Sequence, residues 1–156
     1  MGLDNIPYEY PCIAEGLQDP DEQIDCQKNI EEYRCPWDKE MGQVKGGIYG
    51  MFGTPCWYRG KSGNYMLEEL SSNGYHPPKG KDGEPLNFYG DWADGDNEMV
   101  RPEACIELSE WMADHAEAYA SISGREYPLE EAIDSYQYAI SWLKFVSEYG
   151  GSRVWY

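Results

Sequence analysis

The chain has 156 residues, with 29 Asp or Glu against 12 Lys or Arg and a formal net charge of −17 at pH 7. Such a balance excludes binding that tracks a nucleic-acid backbone, because Lys and Arg must displace the counterions. Hydrophobic residues make up only 41%, but 14 Tyr, 6 Trp and 3 Phe offer large area to bury, so the composition predicts one folded, soluble domain rather than a disordered chain.

The first stretch, Met1 to Pro20, carries Pro7, Pro11, Gly16 and Pro20, which predicts an irregular arm. It has no basic n-region, and nowhere is there an apolar run of about 18 residues, so the expectation is a cytoplasmic protein with no membrane partner. A first helix is expected from Asp21 to about Tyr33, with Asp19 or Asp21 as its cap and acids in its first turn.

The five cysteines are Cys12, Cys26, Cys35, Cys56 and Cys105, an odd number that suits a reducing compartment. Cys12, Cys26, Cys35 and Cys56 can close a tetrahedral structural zinc site, although no Cys-x-x-Cys pair places two ligands on one turn. The alternative is buried free thiols that act as small hydrophobes.

Gly46 to Arg59 is rich in Gly, aromatic and β-branched residues and is interrupted by Gly53-Thr54-Pro55, which predicts two short strands and a turn. Ser62 is a candidate cap for a helix through Tyr65, Met66 and Leu70 that stops at Asn73-Gly74. Tyr75 to Pro102 reads as loop, with one strand near Leu86 to Tyr89. A helix from about Glu103 to Ile122 follows, with Cys105, Leu108, Trp111, Met112, His115, Tyr119 and Ile122 on its apolar face. After Ser123-Gly124, Pro128 opens a second helix to about Tyr149, with Leu129, Ile133, Tyr136, Ile140, Leu143 and Val146 on one side.

The expected fold is therefore a single α+β domain. Residues 1–60 supply the arm, first helix and Cys/Gly-rich strands, residues 61–102 a helix and loops, and residues 103–150 an antiparallel helix hairpin packed with a small Gly-rich antiparallel sheet.

The distribution of acids singles out one segment. Residues 41–67 contain no Asp or Glu but hold Lys45, Arg59, Lys61 and seven glycines. Within it, Trp57, Tyr58 and Tyr65 can stack on a ring, Arg59 and Lys61 can pair with phosphate, and Ser62 and Asn64 can donate hydrogen bonds at a helix N-terminus. Glycine there would let backbone N–H groups approach a ligand closely. A small phosphorylated ligand such as a nucleotide uses all of these groups. Gly60-Lys61-Ser62 is not the end of a P-loop, since Pro55 stands where that motif needs its first Gly. The plainer alternative is a neutral, strand-forming scaffold whose two cations pair with carboxylates elsewhere.

Enzymatic chemistry finds less support. Cys56 with His76 is the only nucleophile and base pairing to consider, His115 falls on an apolar helix face, and no third orienting group is apparent, so no catalytic residue is assigned. Asp91, Asp94, Asp96 and Glu98 fail the EF-hand spacing and read as a solvated turn. Glu103, Glu107, Glu110, Asp114 and Glu117 recur at three and four residues, and with Glu130, Glu131 and Asp134 they could present a DNA-like charge array to a basic protein.

Met1-Gly2-Leu3-Asp4-Asn5-Ile6-Pro7, Tyr10-Pro11-Cys12, Ile24-Asp25-Cys26, Cys35-Pro36-Trp37 and Cys56-Trp57-Tyr58-Arg59-Gly60-Lys61 together resemble a group of small acidic, cysteine-containing proteins of tailed bacteriophages. The resemblance covers about the first 65 residues and brings no catalytic residues with it. It implies the cytoplasm of an infected bacterium and an accessory role against host defence. The leading expectation is thus a non-enzymatic binding protein that sequesters a small phosphorylated ligand, a nucleotide signal. The alternatives are an acidic nucleic-acid mimic that inhibits a basic host protein and a zinc-stabilised structural module; homo-oligomerisation is left open.

Overall fold

The computed structural model describes residues 4–11, 56–81, 83–90, 99–123 and 129–155. In chain order these form β1 (Asp4–Pro7), β2 (Tyr58–Arg59), α1 (Gly60–Ser72), β3 (Met99–Val100), α2 (Pro102–Asp114), α3 (Ala116–Ser123), α4 (Leu129–Ser147) and β4 (Ser152–Trp155). The expected helix over residues 21–33 and the first of the two strands expected over residues 46–59, with its turn, lie outside the described residues, as do Cys12, Cys26 and Cys35, whereas the end of the second strand is β2.

The four strands make one antiparallel sheet in the order β2-β1-β4-β3. Part of the expected irregular arm is therefore a central strand. Its proline is tolerated because β2 pairs only with Asp4 and Asn5, so Pro7 has a single partner, Ser152, at the strand end. The chain reaches β4 through Gly150 and Gly151, both at positive φ, and Gly151 N–H donates to Val146 O at 2.8 Å, closing the last turn of α4.

The result is an α+β protein in which a small antiparallel sheet packs with C-terminal helices, as the sequence predicts. The most extensive helix packing is α2 on α4. Leu108 and Met112 from α2 and Tyr136, Ile140, Leu143 and Val146 from α4 are buried, and the Tyr136 hydroxyl donates to Met112 O at 2.5 Å. Leu129 and Ile133, expected on the same face, are instead 48% and 38% exposed. Ala132, Ala139, Trp142 and Phe145 are buried with the rest of the α4 stripe.

The single helix expected over residues 103–122 is two. His115 separates α2 from α3, with its N–H shared between Trp111 O and Met112 O at 3.1 Å each. Its Nδ1 lies 2.7 Å from Trp111 O and its ring stacks on Trp111 at 4.2 Å. Apolar periodicity carries through such a break, because the residues on either side still face the core. The expected strand near Leu86 to Tyr89 is also absent. There the chain turns back on itself through a bridge between Lys79 and Pro85, with Leu86 N–H donating to Pro78 O at 2.9 Å. Among the described residues no helix is long and apolar enough to cross a membrane.

Candidate functional site

The acid-free segment enters the described structure at Cys56, which adopts a positive φ of 55°. It then forms β2 and turns directly into α1. The helix starts two residues before the expected cap. Arg59 occupies the N-cap position without a capping hydrogen bond from its side chain, and no acid stands in the first turn. In most helices a Ser, Thr or Asp and first-turn acids offset the partial positive charge of this end.

The helical turn divides the predicted site residues between two faces. Tyr58, Gly60, Gly63 and Asn64 point inward and are buried. The Tyr58 ring lies 5.5 Å from those of Phe88 and Trp142 and 6.0 Å from that of Tyr138, so it belongs to the aromatic core and does not offer a stacking face to a ligand. Burial also pushes its hydroxyl pKa upward, with Tyr138 and Tyr119 adding to the shift.

Gly60 and Gly63 serve close packing against the protein itself. A Cβ at Gly60 would stand 2.0 Å from Asn5 Oδ1, and one at Gly63 would stand 2.5 Å from the Phe88 ring. Asn5 is a hub that sequence reasoning missed. Its Nδ2 donates to Phe88 O at 2.8 Å and to Ser152 Oγ at 2.9 Å, tying β1 to β4 and to the 83–90 segment. Asn64 Oδ1 accepts from Phe88 N–H at 2.9 Å, which fixes the other side of the same loop. The partners of Asn5 are 83 and 147 residues away in the chain, and no local pattern announces them.

The remaining residues face outward. Arg59 is exposed, with its guanidinium 5.4 Å from the ring centroid of the half-buried Trp57. Lys61 Nζ lies 5.6 Å from the ring of Tyr65, which is 55% exposed. Both cations are thus held against aromatic faces. Ser62 and Tyr65 open onto a groove of about 370 Å³ whose other walls are Tyr119 and Ser123 of α3 and Glu131 and Ser135 of α4. Asn64 lines a different groove on the opposite side of α1, with Leu67, Ser71 and the residues around Pro85. The structure therefore keeps Lys61, Ser62 and Tyr65 together and parts them from Asn64 and Tyr58.

The wall formed by α3 and α4 is the part of the groove that sequence reasoning missed. Tyr119 and Ser123, like Glu131 and Ser135, are spaced four apart on their helices, a signal for a shared face. That spacing does not reveal which helix stands opposite.

Cys56 is buried, away from solvent, whereas His76 is exposed. Cys105 is buried on α2, and burial pushes its thiol up to about 12, with Glu103 adding to the rise against backbone hydrogen bonds that lower it. Among the described residues no group of three or more His, Cys, Asp or Glu could hold a metal ion. Glu103, Glu107, Glu110, Asp114, Glu117, Glu130, Glu131 and Asp134 are all exposed. Comparison with protein-family models, curated proteins and solved structures gives no match to this chain.

Proposed function

We propose that this is a non-enzymatic protein that captures a small phosphorylated ligand at the outward face of the α1 N-terminus. The observation that carries the proposal is the Lys61–Tyr65 pair at an acid-free helix start that the Arg59 side chain does not cap, with Tyr65 opening onto a groove between three helices. Arg59 and Lys61 would meet the phosphate, the helix end would add its partial charge, and Tyr65 would pack on the rest of the ligand. Trp57 holds the Arg59 guanidinium in place. Tyr58 and Asn64 support the site from the core side without touching the ligand. The resemblance to tailed-phage proteins suggests a nucleotide signal of an infected cell as the physiological ligand.

Mass spectrometry of natively purified protein under non-denaturing conditions tests this directly. The expected result is a mass excess that is released on denaturation and carries the ultraviolet absorbance of a nucleobase. Arg59→Ala and Lys61→Ala should each weaken capture about tenfold, and unchanged affinity in both removes the assignment.

A second proposal, inhibition of a basic host protein by charge mimicry, draws on the exposure of all eight helix carboxylates. It requires salt-sensitive capture of that protein and release when Glu107, Glu110 and Asp114 are reversed to Lys. Capture that survives both treatments eliminates it.

A further inference from the structure

We propose that the groove between α1 and the 83–90 segment docks an extended, arginine-bearing segment of a partner protein. It lies on the side of α1 away from the proposed phosphate site and does not depend on that site. The groove holds about 940 Å³, and its helical wall runs from Asn64 to Ser72. That is about 12 Å of helix, the length of roughly four extended residues. Its chemistry is one-sided. Leu67 and Leu86 give it apolar surface, Tyr89 an aromatic ring, and its charged residues are both acids, Glu68 on the helix and Glu84 on the facing segment. Among the described residues that line it there is no Lys or Arg, and Lys79 and Lys81 of the adjoining turn stay outside.

A second observation calls for a hydrogen-bond acceptor. Asn64 is 4% exposed, and its Oδ1 accepts from Phe88 N–H at 2.9 Å, yet its Nδ2 is buried without a hydrogen-bond partner. Buried amide donors are rarely left so. The other amide side chain of the lining, Asn87, is spent within its own segment, donating to Pro85 O at 3.1 Å and accepting from Tyr89 N–H at 2.6 Å. A peptide supplies a backbone carbonyl for Asn64. An arginine on that peptide adds methylenes for the leucines, a planar cation for the Tyr89 ring and N–H donors for the carboxylates. A phosphorylated ligand would face two acids with no cation beside them, and a polyamine would satisfy the acids but offer Asn64 only donors. The net charge of −17 draws basic partners in general, and the groove then selects a segment in which arginine stands beside an accessible backbone.

NMR titration of the isotopically labelled full chain with a terminally blocked peptide, Ala-Ala-Arg-Ala-Ala, tests the assignment. The expected result is a saturable shift of the Asn64 side-chain amide together with the backbone amides of Leu67 and Leu86. The same peptide with citrulline in place of arginine keeps the shape without the charge and should bind about tenfold more weakly. Glu68→Gln should weaken the arginine peptide about fivefold. Glu9→Gln removes an exposed acid outside the groove lining and should leave the affinity unchanged. Equal binding of the arginine and citrulline peptides, equal losses in Glu9→Gln and Glu68→Gln, or no shift at Asn64 overturns the proposal. So does spermidine if it shifts the same resonances as strongly as the peptide, because it carries charge but no carbonyl.

Discussion

The two faces of the α1 first turn are built from one continuous run, Arg59-Gly60-Lys61-Ser62-Gly63-Asn64-Tyr65, yet they obey different physics. Inward, Gly60, Gly63 and Asn64 are buried, and their tolerances are set by contacts with Asn5 and Phe88. Outward, Lys61 lies over the ring of Tyr65, and Tyr65 borders a groove. Glycine in a segment that looks made for a ligand here serves mainly to let a helix sit tightly on a strand and a loop. The proposed phosphate-binding role falls to the outward residues alone, and the comparison can be broken by substitutions that move one face and leave the other.

The largest effect is expected at the glycines. In an ordinary helix interior Gly→Ala stabilises by about 1 kcal/mol. At Gly63 the new methyl would meet the Phe88 ring at 2.5 Å, so Gly63→Ala should instead destabilise by about 3 kcal/mol, in the upper range for overpacked cores. Gly60→Ala should behave similarly, because Asn5 cannot yield without losing its bonds to Phe88 and Ser152. Urea unfolding checks both, and a gain in stability from either would place that glycine on the outward face.

Raising the pH probes the inward side without mutation. The Cys105 thiol is shifted from 9.0 to about 12 chiefly by burial, so folding favours its protonated form. The associated stability is complete below pH 9 and is lost as pH rises from there towards 12. Between pH 9 and pH 10 the loss from this thiol is about 1 kcal/mol. Tyr58 and Tyr136 are shifted in the same direction by burial and by neighbouring tyrosines, and they steepen the decline above pH 10. Cys105→Ala should flatten the first part of the curve in alkaline unfolding experiments. An unchanged profile in that variant would mean that the thiol is not sealed in the core.

The same division explains what could be seen in the sequence. Helix α1 was legible within three residues at its start, and most of the α4 stripe was legible from its spacing, because helix periodicity is a local property. The sheet was not. Its central strands, β1 and β4, are four residues each and pair across almost the whole chain, Asp4 with Trp155. A strand of that length beside Pro7 carries too little alternation to be recognised, and its partner is chosen by the finished fold. Of the candidate site, the residue types and the absence of acid were visible in the sequence, as was a helix start near Lys61 and Ser62. Which face each residue takes depends on how α1 packs, and its seating against the 83–90 segment puts Asn64 in the core, where it accepts from Phe88 N–H. The opposite wall of the groove depends on how α3 and α4 pack, which is a tertiary fact.

The smallest expected effect on stability is the most informative about the outward face. An exposed cation over an aromatic ring contributes about 0.5 to 1 kcal/mol, and Lys61 over Tyr65 loses part of that contribution to water and salt. Lys61→Ala and Tyr65→Ser should therefore shift the unfolding free energy by no more than about 0.5 kcal/mol each, as at other surface positions. Because Lys61 lies over the Tyr65 ring, the double variant should cost slightly less than the sum of the single ones. A loss above about 2 kcal/mol in either single variant would show that the outward residues hold the fold together as the inward ones do. Lys61 and Tyr65 would then be explained by structure, with no binding role required to account for them.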